Sequence, residues 1–231
     1  MKMGNMVPRK KRVVKDKETR EREIQLAARK VFFKKGFLAS TIEEIAREAN
    51  VARGTIYLYY ENKDDLYLSL IVYMTSEIGD GLSLIEGELD RGNLAGGRDI
   101  VMRILDVYFG IYSRDPDGFA IYAILQSGFF SNMDLGNLKK LNETARRNSA
   151  ITRRIVSKGK AQGLFKPEVS EPVMADAFWS TFLGHIIVTD TKKRVTGKDF
   201  IRPTVTATFG HLAQAIALDS PGRVGNGKTS E

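Results

Sequence analysis

The 231-residue chain has no cysteine and only two histidines. Without thiols it can form no disulfide, no thiolate nucleophile and no cysteine-ligated zinc or iron–sulfur site. A metal would have to rest on carboxylates with His185 or His211, which fall on different predicted helices, so no metal site is expected. Long apolar runs are missing too, since none approaches the ~20 residues that a bilayer span needs. The N-terminus is basic but lacks the apolar stretch and small-residue cleavage site of a secretory signal, so the expected location is the cytoplasm, without a membrane partner. There is no nucleophile elbow, and the glycines between residues 79 and 97 have neither the spacing nor the preceding strand of a phosphate-cradling loop. An enzyme is not expected.

What is present is an ordinary globular composition, 42% apolar and 28% charged, at a length that suits a small domain joined to a larger one. The charge is unevenly placed. Residues 1–63 hold 16 Lys and Arg against 8 Asp and Glu, whereas residues 64–231 hold 20 of each, so the whole excess of +8 sits in the first quarter. A basic segment on a neutral remainder fits a chain that binds a polyanion at one end and does something else at the other.

Residues 1–17 carry seven cations and one acid with almost no apolar periodicity, and read as a disordered basic arm. From residue 18 the pattern is helical, with Ile24, Ala27, Ala28, Val31 and Phe32 on one face and Gly36 as a stop. Thr41, followed three residues later by Glu44, has capping-box spacing and opens a short helix that runs to about Ala49. A tight connection, 50–52, leads to a second short helix over 53–59, and Asn62 starts a fourth that runs to about Ile78. The glycine-rich stretch 79–97 reads as a loop or irregular hinge, with a helical turn around Leu84 to Leu89. Helical period then resumes over 100–113, 117–130, 135–162, 171–190 and 199–217, with no alternating strand pattern, so the chain reads as all-α. The expected domains are residues 18–78 and residues 79–218, followed by a disordered tail, 219–231.

Two short helices joined by a tight turn place the second one in a major groove of duplex DNA. In this pair Ile56 and Tyr60 point inward, and Arg53, Gly54, Thr55, Tyr57, Leu58 and Tyr59 cannot all be buried in so small a bundle. Arg53 has the fork that pairs with guanine O6 and N7, Gly54 allows close approach of the backbone, and Thr55 can reach a phosphate or a thymine methyl. Tyr57 and Tyr59 can reach phosphates, and three near-consecutive tyrosines cannot share one helix face. Lys63 at a helix start is an unfavourable cation unless an anion is near, and by the same reasoning Thr41 is a phosphate candidate. A basic tether to anionic lipid would leave this outward face unexplained.

The run STIEEIAREANVARGTIYLYYENKDDLYLSLI resembles the DNA-binding segment of TetR-type regulators, and AARKVFFKKGF before it belongs to the same pattern. The similarity covers about residues 18–78. Two positions depart from the family, which usually has Ser or Thr in place of Ala52 and Phe in place of Tyr60; the first loses a helix cap of ~1 kcal/mol. The resemblance implies a homodimer on a palindromic operator, usually a repressor, with a small-molecule effector in the larger domain and no cofactor. It places the pocket near Phe109, Tyr112, Phe119, Tyr122, Phe129, Phe130, Trp179, Phe182 and His185. Apolar surfaces on the last two helices put Phe178, Ile186, Ile187, Phe209, Leu212 and Ile216 in the expected dimer interface. The neutral, aromatic-rich domain and a likeness of GTIYLYY and of residues 162–165 to fatty-acid-responsive members point to an apolar effector.

Overall fold

The computed structural model describes the backbone of residues 9–126 and 135–218. These form α1 (Arg9–Lys35), α2 (Ile42–Glu48), α3 (Arg53–Tyr57), α4 (Lys63–Asp90), α5 (Gly97–Arg114), α6 (Pro116–Gln126), α7 (Leu135–Ala161), α8 (Glu171–Thr196) and α9 (Ile201–Ile216). Among the described residues the sole extended pairing is an isolated antiparallel bridge between Phe165 and Ala217.

Several expectations are corrected, two of them in the first four helices. Residues 9–17, expected as an irregular arm, are the first turns of α1. Nothing between residues 9 and 35 breaks a helix, and lysine and arginine rank close to alanine in helix propensity. Residues 1–8 and the expected tail 219–231 lie outside the described residues. The second correction is α4, which runs unbroken through the glycines at 79, 81 and 87. Ile78, Leu82, Ile85 and Leu89 hold an inward stripe at helical spacing and are all buried, which outweighs the intrinsic cost of the glycines. Gly81 is there because of close packing: a methyl group on its Cα would come within 2.7 Å of Val107 Cγ1. By composition, α4 is long and apolar enough to cross a membrane, yet half of its most apolar window is buried in the protein, as in the core helix of a globular fold.

The chain divides into two compact units, Met1–Met74 with Asp115–Asn142, and Thr75–Arg114 with Glu143–Glu231. The boundary therefore falls within α4, and α6 belongs with the N-terminal helices instead of the larger domain expected to begin at residue 79. In the first unit Ile24, Ala28, Phe32, Ile45, Ile56, Leu66 and Leu70 close the core. Tyr67 packs edge-on against Phe32 at 5.1 Å and donates its hydroxyl to the Ile121 carbonyl of α6 at 3.0 Å. Burial pushes the Tyr67 phenol well above its ordinary range. Arg29 of α1 pairs with Asp115 at 3.0 Å, just before α6.

In the second unit α5 packs on α8 and α9. Phe178 of α8 stacks on Phe209 of α9 at 5.9 Å, and Tyr108 of α5 meets Trp179 and Phe182 at 5.2 and 5.4 Å. α8 runs past the expected end at residue 190 to Thr196, where Gly197 in the left-handed region (φ 71°) stops it. Carboxylates along α4 pair with cations of α7: Asp80 with Arg147, Glu86 with Arg154 and Lys158, and Asp90 with Lys158. Hydrogen bonding from Arg154, reinforced by Lys158, lowers the Glu86 pKa from the usual 4.5 to about 2. A lowered folded-state pKa stabilises above the unfolded value and loses that contribution as pH falls toward 2. Replacing Glu86 by Gln is expected to cost about 1 kcal/mol at neutral pH, because both cations stay partly in water, and to flatten the stability profile between pH 4.5 and 2 in urea titrations.

Candidate nucleic-acid interface

The geometry starts at Thr41. Its hydroxyl oxygen accepts from the Glu44 amide and the Glu44 carboxylate accepts from the Thr41 amide, both at 3.2 Å, so the capping box is closed. Lys35 also pairs with Glu44 and is the main cause of its lowered pKa. At the other end of α2, Asn50 takes a left-handed conformation (φ 53°), and the amides of Asn50 and Val51 return to Arg47 and Ala46. Asparagine tolerates that conformation better than other residues bearing a Cβ, and the two bonds satisfy the last carbonyls of α2 while turning the chain into α3. Ala52 precedes α3 without a side-chain cap, the consequence expected of losing a hydroxyl there.

α3 is one and a half turns long and is held by Ile56, which is 0% exposed, and by Tyr60 just beyond it. The Tyr60 hydroxyl sits between Gln25 Nε2 at 3.1 Å and Glu21 Oε1 at 3.3 Å, so the polar atom that replaces the usual phenylalanine edge is satisfied by α1. Desolvation pushes its pKa up to about 12.

The outward face carries Arg53, Gly54, Tyr57 at 43% exposure and Leu58 at 78%. A Cβ at Gly54 would find no atom within 4 Å. Thr55 and Tyr59 are half-buried at the edges of this face, and Lys17 of α1 lies 5.9 Å from the Tyr59 ring. Arg53 is already engaged: Nη1 is 2.6 Å from Glu43 Oε1, and Nη2 donates to Tyr57 Oη at 3.0 Å. Lys63 has a local explanation that needs no anion, because its ammonium donates to the carbonyls of Phe37 and Ser40 at 2.8 and 2.9 Å and lies over the Phe37 ring. It ties the start of α4 to the loop before α2. Glu43 has no signal in the sequence, because no spacing rule says that the start of α3 faces it.

The expected pocket residues are divided between the two units. Phe119 and Tyr122 are buried in the first unit, Phe129 and Phe130 lie outside the described residues, and the others belong to the second unit. Phe182 is fully buried against Tyr108, while Phe109 and Tyr112 are half-buried, 5.9 Å apart, with the Arg202 guanidinium over the Phe109 ring. His185 Nε2 lies 3.0 Å from Thr208 Oγ1 and lines a groove of about 740 Å³ along α8 with Ser180, Gly184, Val188 and Phe200.

The expected dimer residues need correction. Phe178, Ile186, Phe209 and Ile216 are buried within the single chain, where α8 and α9 cover each other and α5. Leu212 is half-buried, and of the six only Ile187, at 44%, is well exposed. An apolar helix face shows that something covers it, not whether the cover is the same chain.

A short helix held by one inward side chain behind a tight turn from α2, with a basic and aromatic outward face, defines a helix-turn-helix DNA-binding protein. Residues 24–70 match the family model described as bacterial regulatory proteins, tetR family. The chain is 28% identical over 153 residues to the fatty acid metabolism regulator protein of Bacillus subtilis, covering 66% of this chain and 74% of that one. It is 50% identical over 54 residues to the transcriptional repressor BepR of Brucella suis, a match of 23% of this chain and a quarter of that protein's length. The fold is similar to that of the regulator FadR from Bacillus subtilis, solved with stearoyl-CoA, with a TM-score of 0.64 at 21% identity over 83% of this chain and 96% of that one. Over residues 24–70 the chain carries the DNA-binding segment of tetR-family regulatory proteins.

Proposed function

We propose that this chain is a repressor that binds a palindromic operator as a homodimer, works in the cytoplasm, needs no cofactor, and is released by a small apolar effector of fatty-acid or acyl-CoA type. The reading is carried by the outward face of α3, which its own unit leaves open around Gly54 and Leu58. On that face Arg53 supplies a guanidinium for guanine, Leu58 an apolar surface for a thymine methyl, and Tyr57 and Tyr59 hydroxyls for the backbone. Thr41 and Thr55 flank them with hydroxyls, and Lys63 retains one donor after the two it gives to carbonyls. Two such faces in a symmetric dimer would meet half-sites about 34 to 36 Å apart. Val173, Ile187, Val188 and Val195 on the solvent side of α8 are the exposed apolar residues available for that contact.

The effector class is supported by the likeness to a fatty acid metabolism regulator in sequence and to a FadR solved with stearoyl-CoA in fold, together with the aromatic density of the second unit. The test begins with a duplex enriched from a random-sequence pool by the purified chain. Arg53→Ala is expected to weaken binding to it by about 1 to 3 kcal/mol and to change binding to a shuffled duplex little. An equal loss on both would remove Arg53 from base reading. Stearoyl-CoA is expected to lower affinity for the enriched duplex, and the duplex to lower affinity for stearoyl-CoA by the same factor. Stearoyl-CoA that binds without any effect on DNA affinity would overturn the effector assignment.

A further inference from the structure

Glu43 stands in the first turn of α2, on the side from which α3 begins, and its carboxylate is an odd neighbour for a surface that meets a polyanion. Its Oε1 lies 2.6 Å from Arg53 Nη1, while Tyr57 Oη takes a hydrogen bond from Nη2 at 3.0 Å and the guanidinium stands 5.4 Å from the Tyr57 ring centre. A guanidinium has five N–H donors, so these contacts leave one donor on each terminal nitrogen and the Nε–H. The side chain is thus gripped from both sides while its remaining donors stay exposed.

On the reading that α3 meets DNA, we propose that Glu43 is a positioning residue for sequence selectivity: it holds the Arg53 guanidinium ready for a base edge and keeps it from serving as a general phosphate contact. A free arginine on a DNA-facing helix is satisfied by any phosphate, and phosphate contacts carry no sequence information directly. Pairing with a carboxylate cancels the charge that would release a condensed counterion, so the pair contributes little to sequence-independent affinity. A guanine in register still gains from the arginine, because O6 and N7 need donors in a fixed plane, and the tether supplies that plane in advance. The ion pair is solvent-exposed and adds little to folding stability, so its effect belongs on DNA. Glu44 closes the capping box in its place, which leaves Glu43 free of a structural duty in α2.

The experiment uses the full chain as wild type, Glu43→Gln, Arg53→Ala and the double variant. Dissociation constants are measured across a salt series for a duplex enriched by the wild type from a random pool and for a shuffled duplex of equal composition. Glu43→Gln is expected to bind the shuffled duplex about fivefold more tightly, with the slope of log affinity against log salt steeper by about one. The enriched-to-shuffled ratio should fall by a similar factor, and on the Arg53→Ala background Glu43→Gln should leave the ratio unchanged. Equal tightening on both duplexes overturns the proposal, since Glu43 would then be a plain repulsive charge. A ratio that falls just as far without Arg53 overturns it as well. A wild type that enriches no sequence overturns the reading of α3 and this inference together, whereas enrichment by wild type with an unchanged ratio in Glu43→Gln overturns the inference alone.

Discussion

Replacing Ile56 with Ala is expected to abolish sequence-selective DNA binding while leaving the helical content of the chain near that of the wild type. Ile56 is the buried residue of α3, and a helix of five residues has no stability of its own in water. Ala52 offers no side-chain cap to offset a loss. Truncating a fully buried isoleucine costs about 2 to 5 kcal/mol, and the loss falls on the docking of α3 against α1 and α2. The rest of that core, including Ile45, Phe32 and Tyr67, keeps its own contacts. Amide exchange over residues 53–60 should accelerate strongly, with smaller changes in α1 and α4. Leu58→Ala is the control, because a side chain at 78% exposure contributes little to the fold and should alter DNA binding without altering exchange. If exchange in α3 stays at the wild-type rate in Ile56→Ala, Tyr60 alone suffices to dock the helix.

The sequence showed this site well because its information is local. A threonine three residues before a glutamate, and tyrosines too close together to share a face, can be read without knowing what lies opposite. The departures at Ala52 and Tyr60 were readable for the same reason, and α3 is indeed left without a side-chain cap. What depends on another element was hidden. Arg53 reaches Glu43 across the turn, and Lys63 reaches back 23 and 26 residues to the carbonyls of Ser40 and Phe37, so no periodicity could pair them. Lys63 looked like a cation waiting for an anion because its true acceptors are backbone atoms, which leave no mark in a sequence.

Glycine misled in α4 through the same gap. Read alone, Gly79 and Gly81 are helix breakers; beside Asn148 and Val107 they are the residues that let neighbouring helices approach. The inward stripe from Ile78 to Leu89 is present in the sequence, and its burial outweighs the breakers. α6 was likewise assigned to the larger domain by its position in the chain, whereas Asp115 and the Ile121 carbonyl attach it to Arg29 and Tyr67 of the first unit.

Phe178→Ala separates the two meanings that an apolar face on α8 can have. Phe178 is 0% exposed and stacks on Phe209 inside the same chain, so its truncation removes part of the core between α8 and α9. The expected cost is about 3 to 5 kcal/mol, a fall in Tm of about 10 °C or more for a chain of this size. Because the contact is internal, that fall should be equally large at protein concentrations tenfold apart. Ile187 is the complementary position, exposed at 44% on the same helix. Ile187→Asp should leave the unfolding of each protomer near that of the wild type and weaken self-association in sedimentation experiments, provided the solvent side of α8 meets its partner. A Phe178→Ala chain that melts like the wild type yet no longer self-associates would move that phenylalanine from the core to the interface. The burial of Phe178 and its stacking on Phe209 argue for the opposite outcome.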